Sequence, residues 1–176
     1  MISGEKVFLT AIERSSLEQF RQWRNQSNLR KYFREYREIS KHMQSKWFKN
    51  RVLNNPNQVD FEIHDISSEK LIGHCSLNYI DWRNRHAEFG IYVGDSDFRG
   101  GGYGKEALKL LLDYGFKTLN LNKIWCEVYS NNNAIGLYRH LGFVDEGVMR
   151  QHHYDDGQWL DSYFLSILRT EYNDME

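Results

Sequence analysis

The sequence has few of the residues that cross-link, break or anchor a chain. Among its 176 residues are two cysteines and one proline, and no apolar run approaches the length of a membrane span. Cys75 and Cys126 each lie in an apolar stretch and outside any Cys-x-x-Cys pair, so we expect buried free thiols rather than a disulfide. No spacing of His, Cys and Asp suggests a metal site. Because residues 1–6 lack the apolar core of a signal peptide, we expect a cytoplasmic protein with no membrane partner.

Composition predicts a single globular domain over residues 1–176. Hydrophobic residues make up 40% of the chain and charged residues 27%, and no stretch rich in Pro, Gly or Ser divides it. A chain of this length can bury one substantial core.

Charge is balanced over the whole chain but not along it. The formal net charge is −1, yet residues 1–52 carry 12 Lys and Arg against 5 Asp and Glu. Such a basic segment is either a solvated helical surface or a cationic cover over an acceptor that carries phosphate. The near-zero net charge and the lack of a nucleic-acid motif argue against a third interpretation, a nucleic-acid-binding domain.

Hydrophobic periodicity predicts the element order β-α-α-β-β-β-α-β-α-β-β. Strands are predicted at residues 7–12, 59–64, 70–77, 86–93, 123–129, 143–153 and 159–168. Helices are predicted to begin near residue 16, near residue 40, after a glycine-rich turn at 98–104 and after residue 131. Pro56 ends the second helix, and Asp156-Gly157 marks a hairpin turn before the last strand.

The glycine-rich turn is the most informative stretch. Residues 98–107 have the sequence Phe-Arg-Gly-Gly-Gly-Tyr-Gly-Lys-Glu-Ala. Glycines let successive N–H groups converge, and the helix N-terminus behind them favours an anion, so the stretch predicts a phosphate cradle. Arg99 stands where a Walker loop needs its first Gly, and Lys105 stands where a dinucleotide fingerprint needs its third. On this motif alone, a capping loop without a ligand is the alternative.

What remains is Arg99-x-x-Gly102-x-Gly104, which resembles the acetyl-CoA-binding signature of the GNAT superfamily of N-acetyltransferases. Residues 131–147, Asn-x-x-Ala-Ile-x-x-Tyr-x-x-Leu-Gly-Phe-x-x-Glu-Gly, resemble the second signature of that family at the expected distance downstream. The predicted element order also resembles the GNAT fold along nearly the full length. The resemblance implies a mixed α and β fold, with a central sheet of six to seven strands flanked by about four helices.

The resemblance also implies a reaction and its cosubstrate. The acetyl group of acetyl-CoA would pass directly to a primary amine in a ternary complex, without a covalent acyl-enzyme. Backbone groups of the glycine-rich turn would hold the pyrophosphate, and the edge of one strand would pair with the pantetheine arm. The expected cofactor-binding residues are Ile91, Tyr92, Val93, Arg99, Gly100, Gly101, Gly102, Tyr103, Gly104, Lys105 and Asn131.

Two side chains are expected to move protons, because the amine must lose one and the leaving thiolate must gain one. Tyr138 matches the tyrosine that protonates the thiolate in this family, and a core aromatic residue is the alternative. Glu88 is the expected base, acting directly or through water, and a structural ion pair with an arginine such as Arg85 is the alternative. His152 and His153 are acceptor-pocket candidates, of which strand alternation lets at most one reach a given site.

These motifs leave the acceptor open. Short matches resemble GNAT subgroups that act on spermidine (residues 85–89, 113–116 and 156–159) and on nucleotide-linked amino sugars (residues 23–25 and 39–40), and the general layout resembles the ribosomal-protein N-terminal acetyltransferases. We favour a nucleotide-linked amino sugar, since basic residues attract phosphate and repel a polyamine; a polyamine or a peptide N-terminus is the alternative. A non-catalytic acetyl-CoA sensor is the alternative from another class. Trp82 and Trp159 allow a homodimer.

Overall fold

The computed structural model describes residues 1–173, and its centre is one mixed sheet of eight strands in the order β1-β2-β3-β4-β5-β6-β8-β7. The strands are β1 (Ile2–Ser3), β2 (Val7–Ala11), β3 (Val59–Asp65), β4 (Leu71–Asp81), β5 (His86–Val93), β6 (Lys123–Tyr129), β7 (Val144–Asp155) and β8 (Gln158–Leu168). The helices are α1 (Leu17–Asn25), α2 (Ser27–Arg30), α3 (Lys41–Trp47), α4 (Tyr103–Asp113), α5 (Ala134–His140) and α6 (Arg169–Asn173). Wider π turns extend α3 over Phe48–Leu53 and α4 over Tyr114–Thr118.

The sheet opens in its middle, between β5 and β6. These two strands are parallel and pair over three positions, the last of which joins Glu88 to Trp125. Beyond that pair, β5 stays bonded to β4 as far as Val93, and β6 stays bonded to β8 as far as Tyr129. Each strand therefore keeps its outer neighbour while the two inner edges separate, which leaves a V-shaped gap.

Two hydrophobic clusters pack against β5. Ala107, Leu108, Leu111 and Leu112 recur at helical spacing and are buried, so α4 packs against the sheet beside β5. A second cluster joins Phe20 and Trp23 of α1 to Phe48, with Tyr92 of β5 packed against it.

The predicted elements are confirmed with small differences. The two-residue strand β1 brings the sheet to eight strands, one more than the upper estimate, and α2 and α6 add short helices. The Ser40 hydroxyl accepts a hydrogen bond from the Met43 N–H at 3.1 Å, as an N-cap should. Cys75 and Cys126 are buried free thiols. Within residues 1–173, no helix is both long and apolar enough to cross a membrane.

Candidate active site

A cavity of about 1210 Å³ lies in the gap between β5 and β6. Its walls come from α1, α3, the connection of residues 31–40, β4, the open edges of β5 and β6, and the start of α5. The cavity therefore joins the glycine-rich turn to the basic N-terminal segment, two regions that are far apart in sequence. A cavity of this size accommodates two small reactants together.

The glycine-rich turn has the backbone of an anion site. Gly100 and Gly102 have φ values of 80° and 87°, a region that side chains with a Cβ rarely adopt. Gly102 caps α4, and its carbonyl accepts the first intrahelical hydrogen bond from Glu106 N–H at 3.0 Å. The N–H groups of the three preceding residues, Tyr103, Gly104 and Lys105, therefore point out of the helix end without an intrahelical acceptor. Such a set of donors at a helix N-terminus favours a phosphate.

Lys6 adds a cation to this turn that sequence reasoning missed. Its Nζ donates to the carbonyl of Gly101 at 3.0 Å and lies 5.8 Å from the centre of the Tyr103 ring. The Glu106 carboxylate fixes the segment by accepting the N–H of Lys6 at 2.9 Å and the N–H of Glu5. Lys6 lies about 95 residues from the turn in sequence, so no local pattern could connect them.

The side chain of Arg99 supplies a positive charge and also hydrogen-bonds to the backbone at the end of β5. Its Nε donates to the carbonyl of Val93 at 3.0 Å, and its Nη2 donates to the carbonyl of Gly94 at 2.7 Å. The guanidinium thus ties the glycine-rich turn to the end of β5 while lining the cavity. Its contact with pyrophosphate stays a prediction.

The end of β5 is arranged so that its backbone faces the gap. Ile91, Tyr92 and Val93 all line the cavity, and β6 does not pair with them. The Tyr92 side chain is packed edge-on against the rings of Phe33, at 5.2 Å, and Trp23, at 6.4 Å, and burial raises the pKa of its hydroxyl. The side chain of Tyr92 is therefore structural, while the strand edge is available for β-type pairing.

Tyr138 of α5 lies in the cavity wall with 8% of its surface exposed. Its ring packs edge-on against Phe89, with 5.1 Å between ring centres. Burial and the nearby thiol of Cys126 raise the pKa of the Tyr138 hydroxyl, so this group keeps its proton at neutral pH. Tyr138 thus combines core packing, which was the alternative role, with a protonated hydroxyl at the cavity.

Glu88 is ion-paired, but with Arg34 and not with Arg85. Arg34 Nη1 donates to Glu88 Oε2 at 2.9 Å, and Nη2 donates to the other oxygen. The same guanidinium reaches Glu127 on β6, with Nη2 at 2.6 Å and Nε at 3.1 Å from Oε2. The side chains of Glu88 and Glu127 are each 7% exposed, while that of Arg34 is 50% exposed. We call these three residues the acidic clamp.

Contacts within the acidic clamp shift the pKa values of Arg34 and Glu127. The hydrogen bonds to Glu88, followed by its charge and by Glu127, outweigh burial and raise the pKa of the Arg34 guanidinium. Burial alone would raise the pKa of Glu127, but the hydrogen bonds and charge of Arg34 give a net lowering. Glu127 could have been suspected from its place two residues beyond Trp125, on the strand that pairs with β5. Arg34 lies in an irregular connection, where sequence spacing carries no signal.

The two histidines correct a sequence-based expectation. His152 Nε2 lies 3.7 Å from a carboxylate oxygen of Glu127, and the His153 ring stacks on Tyr129 with centres 3.6 Å apart. Glu127 and Tyr129 lie on the same side of β6, so both histidines reach one face. Strand alternation does not hold here, because Gln151 has a φ of 51° and a register shift between β7 and β8 interrupts it. Neither histidine lines the cavity, so a role for either in the acceptor pocket stays a prediction.

Asn131 lies beside the cavity and turns its amide towards β7. Its Nδ2 donates to Asp155 Oδ2 at 3.4 Å, and its buried Oδ1 has no hydrogen-bond partner within residues 1–173. The next two residues, Asn132 and Asn133, line the cavity. A contact from Asn131 to the amide arm of a cofactor stays a prediction.

The far end of the cavity is polar beneath aromatic rings. Asp60 accepts a hydrogen bond from Gln58 Nε2 at 2.8 Å and pairs with His74 Nε2 at 2.9 Å. Gln44 on α3 is 2% exposed, and both of its amide atoms lack partners within the described chain. Buried amides of this kind are costly when unsatisfied, so this end of the cavity suits a polar group.

Arg24 brings an unpaired cation to the same cavity. Its guanidinium lies over the Phe33 ring, 5.1 Å from the ring centre, and burial lowers its pKa. No carboxylate of residues 1–173 forms an ion pair with it at hydrogen-bond distance.

Across the same residues, no group of three or more His, Cys, Asp and Glu is placed to hold a metal ion.

Comparison with known proteins agrees with this geometry. The family model for the acetyltransferase (GNAT) domain matches residues 6–144. Spermidine N(1)-acetyltransferase from Vibrio cholerae is 30% identical over 171 residues, 96% of each chain. The Escherichia coli K12 enzyme of that name is 30% identical over 184 residues, covering 98% of this chain and 91% of that one. A putative ribosomal N-acetyltransferase from Bacillus subtilis is 32% identical over 103 residues, 58% of this chain and 56% of the other.

Solved structures of spermidine N-acetyltransferases also match this chain. The crystal structure of the Vibrio cholerae spermidine N-acetyltransferase in complex with CoA and spermine matches with a TM-score of 0.88 and 29% identity, over 96% of this chain and 98% of that one. A dodecameric structure of spermidine N-acetyltransferase from Vibrio cholerae matches with a TM-score of 0.83 and 27% identity, over 97% of this chain and 98% of that one.

We predict that Gly102→Ala weakens acetyl-CoA binding by about tenfold, because alanine is strained at the φ of 87° that aims the donors of the turn. Isothermal titration calorimetry measures this. The same substitution at Gly147, which has open space and lies outside the positive-φ glycines, is the control and should leave the Kd unchanged. Equal affinities in the wild type and the Gly102 variant would contradict the assignment of the turn.

Proposed function

The chain belongs to the GNAT family of acetyl-CoA-dependent N-acetyltransferases, and from that premise we propose that it acetylates a polyamine by direct transfer in the cavity between β5 and β6. The single observation that carries the proposal is the pair of buried carboxylates, Glu88 and Glu127, at the point where the strands separate. A cationic amine approaching a thioester in this gap would meet both of them. Relatives named as spermidine acetyltransferases, aligned over nearly the whole chain, support this acceptor class.

This proposal departs from the sequence-based preference for a nucleotide-linked amino sugar. That preference rested on the basic residues of the N-terminal segment, which were expected to repel a polyamine. Four of those arginines are ion-paired: Arg21 with Glu18, Arg30 with Glu38, Arg37 with Glu35, and Arg34 in the acidic clamp. Their fields are largely cancelled locally, so the segment repels a cation less than its charge count suggests.

Cosubstrate binding is assigned to the glycine-rich turn and the free edge of β5. The N–H groups of residues 103–105 would hold the pyrophosphate, with charge from Lys105 and Lys6. The β5 edge at Ile91–Val93 would pair with the pantetheine arm as an added strand. The thioester carbonyl would then lie in the gap, where a β5 N–H can polarise it.

The proton steps are assigned to Glu88 and Tyr138. The amine nitrogen attacks the thioester carbonyl carbon, the carbon–sulfur bond breaks, and the sulfur leaves as a thiolate. Before this attack the acceptor ammonium gives one proton to Glu88, directly or through a water. Tyr138 gives its proton to the sulfur and is reprotonated by the second proton that the nitrogen loses, and the proton on Glu88 passes to solvent. Both oxygens of Glu88 accept hydrogen bonds from Arg34, so a proton that passes to Glu88 removes the charge that holds Arg34 in place.

We predict that Tyr138→Phe lowers kcat by about 10²-fold, since the thiolate loses its proton donor. The Kd for acetyl-CoA should stay unchanged, because the phenyl ring preserves the packing against Phe89. Tyr154→Phe, at an exposed tyrosine of β7, is the matched control and should retain full turnover. Full turnover in the Tyr138 variant would remove this residue from the mechanism.

A second candidate acceptor carries an anionic group, as a nucleotide-linked amino sugar does. Arg24 favours it, because a buried cation without an ion-pair partner suits a phosphate in the cavity. A peptide N-terminus is a further alternative that the ribosomal relative suggests.

We expect thiol release from acetyl-CoA in the presence of spermidine or spermine, above the rate with a UDP-linked amino sugar or a peptide with a free N-terminus. A panel assay under saturating acetyl-CoA measures this. Release with the sugar nucleotide alone would contradict the polyamine proposal and select the Arg24-based candidate. Acetyl-CoA binding with no release for any amine would instead support a non-catalytic sensor.

A homodimer is still a prediction. Trp82 and Trp159 are 48% and 61% exposed, as an interface residue in a free subunit would be.

A further inference from the structure

Arg34 occupies the position that a cationic acceptor would need. Its guanidinium donates to both carboxylates of the acidic clamp through Nε, Nη1 and Nη2. An acceptor ammonium is also a cation that donates hydrogen bonds to carboxylates. The two groups therefore compete for the same oxygens.

We propose that Arg34 is an internal substitute for the acceptor ammonium and must leave the acidic clamp before an amine binds. The inference rests on the proposed polyamine function for the identity of the acceptor. It assigns to Arg34 a role in acceptor affinity.

The two sides of the clamp differ in how freely they can move. Glu88 and Glu127 lie on β5 and β6, strands fixed by ladders to β4 and β8, and their side chains are buried. Arg34 lies in the connection of residues 31–40, which runs as turns and bends between α2 and α3, and half of its side chain is exposed. Exchange therefore proceeds by withdrawal of Arg34 into solvent while the carboxylates stay in place.

The net charge of the acidic clamp favours the binding of acceptors that carry more than one positive charge. Two carboxylates and one guanidinium have a formal charge of −1; His152 lies 3.7 Å from Glu127, and the titratable side chains of Tyr129 and Cys126 also face the clamp. A singly charged amine that displaces Arg34 merely exchanges one cation for another. A polyamine places a second ammonium near the remaining negative charge, so it gains an interaction that Arg34 alone does not supply.

The segment itself contains a matched control. Arg37 lies three residues beyond Arg34 and pairs only with Glu35, at 2.6 and 2.8 Å, on the exposed surface. Arg37→Gln removes the same charge from the same segment without touching the clamp. A general electrostatic effect of the basic segment would move both variants alike, and displacement of Arg34 would move only one.

The test compares the Kd values of spermidine and n-butylamine for the wild type, Arg34→Gln and Arg37→Gln, by calorimetry with acetyl-CoA replaced by CoA. We expect Arg34→Gln to bind both n-butylamine and spermidine about tenfold more tightly, since neither amine then has to displace the guanidinium. Arg37→Gln should match the wild type for both amines. Weaker binding of both amines by Arg34→Gln, or no difference from Arg37→Gln, would overturn the proposal.

A second measurement remains decisive if the glutamine variant folds poorly. Arg34→Ala should lower Tm by about 5 °C, because two buried carboxylates lose their partner. Millimolar methylguanidinium should restore most of that loss in Arg34→Ala and leave the Tm of the wild type and Arg37→Ala unchanged. Equal shifts in all three proteins would contradict a cation subsite at the clamp.

The two proposals fail in different ways. If methylguanidinium restores the Tm of Arg34→Ala but no polyamine is acetylated, the Arg34 subsite is retained and the polyamine acceptor is rejected. Turnover of polyamines with unchanged amine affinities in Arg34→Gln retains the acceptor and rejects the role of Arg34.

Discussion

The separation of β5 from β6 after the Glu88–Trp125 pair is the constraint on which the rest of the structure depends. A parallel pair that continued would bury the backbone of both strands in hydrogen bonds and leave no cavity. Because β4 and β8 hold the outer edges, the inner edges can part without unfolding the sheet. One gap then provides a strand edge for a cosubstrate arm and room for an acceptor.

The gap also explains where charge is tolerated in the interior. Glu88 and Glu127 are buried at its narrow end, where ionised carboxylates without partners would be strongly destabilising. Arg34 compensates them from an irregular connection and with a half-exposed side chain, so both carboxylates have a cationic partner in the empty site. The other end of the cavity is polar as well, with Asp60 paired to His74 and the Gln44 amide without a partner in the described chain.

Much of the fold and the glycine-rich turn could be predicted, because hydrophobic periodicity and the conformational freedom of glycine depend on residues that are close in sequence. The strands from β2 to β8, the Ser40 cap and the glycine-rich turn follow from neighbours in sequence. The acidic clamp does not, since Arg34 lies 54 residues from Glu88 and in an irregular segment. Strand alternation is interrupted at the positive φ of Gln151, and a count of charges does not register the ion pairs of the basic segment.

The central claim is that both reactants occupy the gap together and the acetyl group passes directly between them. Initial rates with acetyl-CoA varied at several fixed spermidine concentrations test it most directly, combined with the intact mass of the protein after incubation with acetyl-CoA alone. The account predicts intersecting reciprocal plots and an unmodified protein mass. Parallel plots together with an acetylated protein would contradict it, because they would require a covalent acyl-enzyme.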